Sequence, residues 1–184
     1  VQENQTETRM FDAIIVGKGK IKDNQLVLGV MDFRFIGGSM GSVVGEQIAS
    51  GIERAVEEEL PFVLISSSGG ARMQEGLLSL FQMVKTTSAR DMLSEAGLPF
   101  ISVMTYPTTA GVEASIASLG DVTIAERGAL IGFAGRRVIE ETIGEDLPKD
   151  FQSSKFALEH GIVDAVVERD SMRNELATIL GFFN

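Results

Sequence analysis

The chain has 184 residues, a formal net charge of −10 at pH 7, one histidine and no cysteine. With 44% hydrophobic and 23% charged residues it reads as one globular domain, large enough to bury roughly 70% of its unfolded surface. The acidic balance excludes nucleic acid or an anionic membrane as partner of the whole segment, and the missing thiols exclude disulfides and thiolate metal sites and fit a cytoplasmic setting.

Residues 1–12 read as a polar lead-in, acidic and unlike a signal peptide. No apolar run is long enough to cross a bilayer. The chain begins at Val1 rather than methionine, which leaves room for an upstream segment. Ala13–Val16 and Gln25–Phe33 predict two strands around a loop with Asp23-Asn24, a hairpin. The glycine-rich turn Phe35-Ile36-Gly37-Gly38-Ser39-Met40-Gly41 opens a helix from Ser42 to Glu59, with Val43, Val44, Ile48, Ile52 and Val56 at helical spacing. Pro61 separates it from a strand at 62–66.

A helix over 74–95 follows, with Leu77, Leu78, Leu80, Phe81 and Val84 as its apolar face. Strand 100–104 leads into a helix at 111–119, and strands at 121–125 and 130–133 come next. A helix at 135–143, a short helix near 153–160, a strand at Val163–Val167 and a helix from 170 to 181 complete the chain. Apolar strands alternating with helices predict an α/β domain over 1–184, its parallel sheet covered on both faces.

Two strand-to-helix turns carry the functional argument: Ser68-Gly69-Gly70-Ala71-Arg72 and Thr109-Ala110-Gly111-Val112. Right-handed crossovers set such turns on one edge of a parallel sheet, where ligands bind in open α/β folds. Small residues let a ligand approach the backbone, and the first N–H groups of a helix lack an internal partner. The N–H groups of Gly69, Gly70, Ala71, Gly111 and Val112 are therefore candidates to hold a developing oxyanion. On that reading Gly70→Val abolishes turnover without unfolding the domain.

From Asp12 to Leu180 the chain resembles the β subunit of bacterial-type acetyl-coenzyme A carboxylase carboxyltransferase. The matching motifs are Gly17-Lys18-Gly19, Phe35 to Gly45, Ser68-Gly69-Gly70-Ala71-Arg72-Met73-Gln74-Glu75-Gly76, Leu119-Gly120-Asp121, Ile124-Ala125-Glu126 and Ala129 to Gly135. Arg137 to Glu140, Leu147-Pro148, Phe151-Gln152, Glu159-His160-Gly161 and Val163-Asp164 continue the match in order. The resemblance implies a crotonase-like spiral of repeated ββα units. It implies transfer of a carboxyl group from carboxybiotin, on a separate biotin carboxyl carrier protein, to acetyl-CoA, giving malonyl-CoA. It also implies an α2β2 assembly with an α subunit, the β subunit holding coenzyme A. Many members carry a four-cysteine zinc ribbon before this domain; with no cysteine, no metal is expected here.

Four positions depart from the family pattern: Tyr106, Ala110, Glu113 and Arg127 stand where aspartate, glycine, a small polar residue and proline are usual. Alanine at 110 predicts that this turn avoids positive φ there. Candidate substrate contacts are Arg72, Gly37, Gly38, Ser39, Met40 and Ala110, with Gly135, Arg136 and Arg137 for coenzyme A phosphates or a partner subunit. The structural alternatives are an Arg72–Glu75 ion pair, tight packing at Gly37–Met40 and a solvated basic face at Arg136–Arg137. His160 reads as a helix-end cap, and Met73, Met83, Met92 and Met104 as core or a subunit seam. A second crotonase-like activity (hydratase, isomerase or decarboxylase) using Glu75 and Glu113, or a non-catalytic scaffold for the α subunit, are the competing functions.

Overall fold

The computed structural model describes residues 1–183. Strands β1 (Ile14–Ile21) and β2 (Asn24–Met31) form the expected hairpin, with Ile14 opposite Met31 and Ile21 opposite Asn24. From β2 onward every pairing is parallel, through β3 (Phe62–Ser68), β4 (Phe100–Thr109), β5 (Val122–Glu126) and β7 (Ala165–Val167). The short β6 (Ile131–Gly132) also pairs with β4, beside Thr108 and Thr109.

Alternation along the inner strands sends side chains to two separate layers, as a sheet covered on both faces requires. Phe62 and Leu64 of β3 join Val27, Phe100 and the buried face of α2 (Ser42–Glu57). Val63 and Ile101 join Leu26 and three residues of α7 (Arg169–Gly181), namely Met172, Leu176 and Leu180. Helix α2 buries Val44, Ile48, Ile52 and Ala55, whereas Val43 faces out.

Several boundaries differ from expectation. The lead-in contains a helix, α1 (Gln2–Thr8), that buries no residue. The helix predicted from 74 starts later: a 3-10 turn at Met73–Glu75 and Gly76 at φ 56 precede α3 (Leu77–Glu95). Strand β4 runs on to Thr109, and the helix predicted at 111–119 divides into α4 (Ala110–Glu113) and a 3-10 turn at Ile116–Leu119. Helices α5 (Arg136–Ile143) and α6 (Ser154–Glu159) lie where the sequence places them.

The largest correction concerns α3, which is turned over. Its buried residues are Ser79, Gln82, Thr86, Ala89 and Leu93; Leu77, Leu78, Leu80, Phe81 and Val84 are all exposed. Periodicity groups residues on a shared face but does not say which face meets the core. The inward polar groups bond to their own helix: Thr86 Oγ1 donates to Gln82 O at 3.0 Å, and Gln82 Nε2 to Leu78 O at 2.8 Å. The apolar stripe of α3 thus faces outward, away from the core of this chain. Two substitutions of one residue type check the orientation by urea unfolding. Leu93→Ala, at a 1% exposed position, costs about 2–5 kcal/mol. Leu80→Ala, at a 50% exposed position, stays within about 0.5 kcal/mol. Equal losses would restore the predicted face.

Candidate active site

The two glycine-bearing turns meet. Ser68 pairs with Thr108 across β3 and β4, and Thr109 Oγ1 donates to Ser68 O at 3.1 Å. Gly70 has φ 113, and a Cβ there would lie 2.6 Å from the Ala110 Cβ and 3.1 Å from the Gly111 amide nitrogen. A Cβ on Gly111 would lie 3.4 Å from the Ala71 amide nitrogen. Both turns therefore border one seam, and only a residue without a side chain fits at 70. Gly70→Val would break the turn itself, so it cannot separate chemistry from folding.

Within the first turn the amides divide cleanly. Gly69 N donates to Gly37 O at 2.8 Å, Gly70 N to Ser68 Oγ at 3.0 Å and Arg72 N to Met40 O at 2.9 Å. Among the described residues, Ala71 N–H has no acceptor, and neither does Gly111 N–H at the start of α4. Of the five expected donors, Gly69 and Gly70 are thus consumed by the fold. Val112 is wholly buried and its side chain belongs to the core. Gly111 is buried, and a buried N–H without a partner is rare in folded proteins. Ala110 takes φ 52, contrary to the expectation of a negative value.

A cleft of about 210 Å³ opens on the first turn, walled by Phe33, Ile36, Gly37 and Ser39 on one side and Gly69, Ala71 and Met73 on the other. A larger cavity, about 320 Å³, lies at the opposite ends of β3 and β4, around Pro61, Pro99 and Phe183. It touches neither turn. Phe33 was not singled out by sequence, and Ile36 only as part of the glycine-rich turn, because nothing in their local pattern marks a side chain as lining a cleft.

The 37–40 segment is mostly structural. Gly38 has φ 63, and a Cβ there would sit 1.9 Å from Ser67 O, so this loop lies directly against β3. Met40 is wholly buried in the core, which removes it from the candidate substrate contacts. Gly37 and Ser39 remain at the cleft wall.

Arg72 is 2% exposed and does not reach a ligand. Its principal partner is Asp12, sixty residues upstream, with Nη1 and Nη2 at 2.9 and 2.5 Å; Glu75 at 3.4 Å is secondary. Sequence reasoning missed Asp12, which lay in the supposed lead-in. Glu75 instead closes the N-terminus of α2: its Oε2 accepts from Ser42 N at 2.7 Å and Ser42 Oγ at 2.5 Å. Burial pushes the Glu75 carboxyl up, but the Ser42 bonds and Arg72 outweigh it and hold it below the ordinary value.

Arg136 is also committed, bonding Pro148 O at 2.7 Å, Leu147 O and Glu140 Oε1, so it fastens a loop rather than meeting phosphate. Gly135 is the residue preceding α5. Arg137 is exposed and, among the described residues, paired with Glu141 one helical turn on. His160 ends α6, with Nδ1 2.9 Å from Phe156 O and its ring stacked on Phe156 at 3.8 Å.

Among the described residues, no group of three or more His, Cys, Asp or Glu side chains is placed to hold a metal, and no helix is long and apolar enough to cross a membrane. Glu113 is half-buried on α4, and burial pushes its carboxyl above the ordinary value. A carboxyl raised on folding stabilises the protein below its unfolded pKa, and that stability is lost as pH rises through the folded pKa. Glu113→Gln therefore raises Tm above neutral pH and leaves it unchanged at pH well below the ordinary glutamate range. Thermal melts across pH check this; a variant less stable than its parent at high pH contradicts it.

Residues 1–180 match the carboxyl transferase domain family. The chain is 59% identical over 180 residues to the acetyl-coenzyme A carboxylase carboxyl transferase subunit beta of Heliobacterium modesticaldum, covering 98% of this chain and 68% of that relative. Its fold is similar to transcarboxylase 12S, solved with methylmalonyl-coenzyme A and methylmalonic acid bound, at TM-score 0.82 and 30% identity, over 91% of this chain and 33% of that one. It is also similar to a Pseudomonas malonate decarboxylase hetero-dimer, at TM-score 0.80 and 26% identity, over 95% of this chain and 77% of that one.

Proposed function

The chain belongs to the carboxyl transferase family, as a domain of the acetyl-coenzyme A carboxylase β-subunit type, and we propose that the seam between its two turns holds the thioester oxygen of acetyl-CoA during carboxyl transfer. The observation that carries this reading is the pair of amides without acceptors, Ala71 N–H and Gly111 N–H, on the two turns that border one seam. Forming a carbanion next to a thioester moves negative charge onto its oxygen. Fixed backbone donors stabilise that charge without reorganising, and each is worth about 2.7–4 kcal/mol. The adjoining cleft, apolar at Phe33, Ile36 and Met73, suits the acyl-pantetheine end of coenzyme A. Carboxybiotin, delivered on its carrier protein, supplies the carboxyl group. Arg137, exposed at the start of α5, is the remaining candidate for the coenzyme A phosphates.

The proposed partner is the α subunit, completing an α2β2 enzyme, and it covers the outer face of α3. Leu77, Leu78, Leu80, Phe81 and Val84 are exposed there beside Met73, forming an apolar surface that a free monomer does not need. Helix α3 follows directly from the first turn, so a chain seated on it would close the same seam. The hetero-dimeric state of the malonate decarboxylase relative supports this reading. A hydratase reading is weaker, because Glu75 is spent on the end of α2 and leaves Glu113 without a second carboxylate. A cytoplasmic setting fits the cysteine-free chain.

Two experiments test these assignments. Replacing Ala71 by lactic acid swaps its N–H for an ester oxygen and leaves the side chain alone. In the assembled enzyme, malonyl-CoA formation should fall by about 10²–10³-fold, the loss expected for one oxyanion donor. Turnover close to the parent's would remove Ala71 from the chemistry. Phe81→Asp should abolish association with the α subunit in sedimentation velocity while the melt of the lone chain stays unchanged; intact association would place the α subunit elsewhere.

A further inference from the structure

Arg72 shares its surroundings with the first turn but touches no cleft. Its guanidinium has five N–H groups, and five acceptors surround it. Nε donates to Ser39 Oγ at 3.1 Å and Nη2 to Ser39 O at 2.8 Å. Nη1 and Nη2 take both oxygens of Asp12, and Nη1 also meets Glu75 Oε1. The Phe35 ring lies 5.7 Å from its Cζ. No donor is left for a ligand, and every acceptor but Glu75 comes from the chain N-terminal to the first turn.

Ser39 is followed by Met40, and Met40 N donates to Gly70 O at 2.8 Å. Gly70 O and Ala71 N–H belong to one peptide group. That group is planar and trans, so its N–H points opposite to its C=O. Whatever fixes Gly70 O therefore aims Ala71 N–H. Segment 36–40 needs such a clamp, because Ile36, Gly37 and Gly38 all have positive φ, at 47, 63 and 63. For a β-branched residue such as Ile36 that conformation is an outlier that persists only where the surroundings impose it.

We propose that the buried Asp12–Arg72 pair is a positioning device, holding Ser39 and Met40 so that the Gly70–Ala71 peptide presents its N–H to the seam. This rests on the assignment of Ala71 as an oxyanion donor, and its failure can be told apart from failure of that assignment. The pair acts through the backbone and does not touch substrate.

The test uses the assembled enzyme with carrier protein and acetyl-CoA. Asp12→Asn preserves shape but removes the charge, and Arg72→Lys removes the fork, since an ammonium cannot satisfy Ser39 and Asp12 together. Both should lower kcat by roughly 10–100-fold, short of the loss from deleting a donor, with KM for acetyl-CoA little changed. Leu93→Ala supplies a variant of comparable Tm loss in the same core, and it should keep its kcat.

The decisive measurement is the double substitution. In the background with lactic acid at 71, Asp12→Asn should lower kcat no further, because the N–H it positions is already gone. If the two losses multiply, or if folded Asp12→Asn keeps the parent's kcat, the positioning role is wrong. Should Asp12→Asn fail to assemble, Ser39→Ala removes one guanidinium bond and leaves both charges paired. It should show a smaller fall of the same kind, and an unchanged kcat there overturns the proposal equally. A lactic acid variant with full turnover would instead overturn the assignment of Ala71.

Discussion

The structure depends on one interaction, the clamping of the 36–42 segment onto the end of β3. Three backbone bonds form the seam between them, Gly69 N to Gly37 O, Met40 N to Gly70 O and Arg72 N to Met40 O, while Gly38 N to Phe35 O shapes the loop itself. Behind that seam lies a buried arginine with all of its donors matched. A charge taken out of water is tolerated only when it is paired and fully bonded, and removing one partner typically costs about 3–5 kcal/mol. The arrangement is therefore all-or-nothing. Either Asp12, Ser39 and Arg72 are all in place, or an uncompensated charge is left inside the core.

This constraint links parts of the chain that otherwise have little to do with one another. Asp12 precedes β1, Ser39 precedes α2, and Arg72 follows β3. Glu75 extends the link by bonding the first residue of α2 through Ser42. An ordinary turn residue, Gly70, then sits between this rigid wall and the Ala110–Gly111 turn, where no side chain could fit. The seam between the turns is thus a by-product of two tightly determined backbone approaches, an arrangement that the proposed stabilisation by fixed dipoles requires.

Much of the fold was legible in the sequence, for identifiable reasons. The apolar runs at 62–66 and 100–104 and the glycine punctuation marked the parallel strands and both turns. The resemblance to carboxyltransferases rested on motifs spread along nearly the whole chain, and the family match bears it out. Three things were not legible. Asp12 pairs across sixty residues, a separation that no local pattern encodes. The orientation of α3 was read backwards, because helical spacing groups its apolar residues on one face without saying that this face meets the core. Ala110 adopts a positive φ because the register between Ser68 and Thr108 and the Gly70 approach demand it, overriding its own preference.

Helix α3 also bears on how such a chain is managed by the cell that makes it. A helix with leucine and phenylalanine facing water, and serine, glutamine and threonine facing inward, leaves apolar area whose burial would be stabilising. Copies synthesised in excess would display a sticky stripe of the sort that chaperones and proteases recognise. Under the proposed α-subunit docking, matched production of the two chains would be enforced after translation, by the exposed side chains themselves.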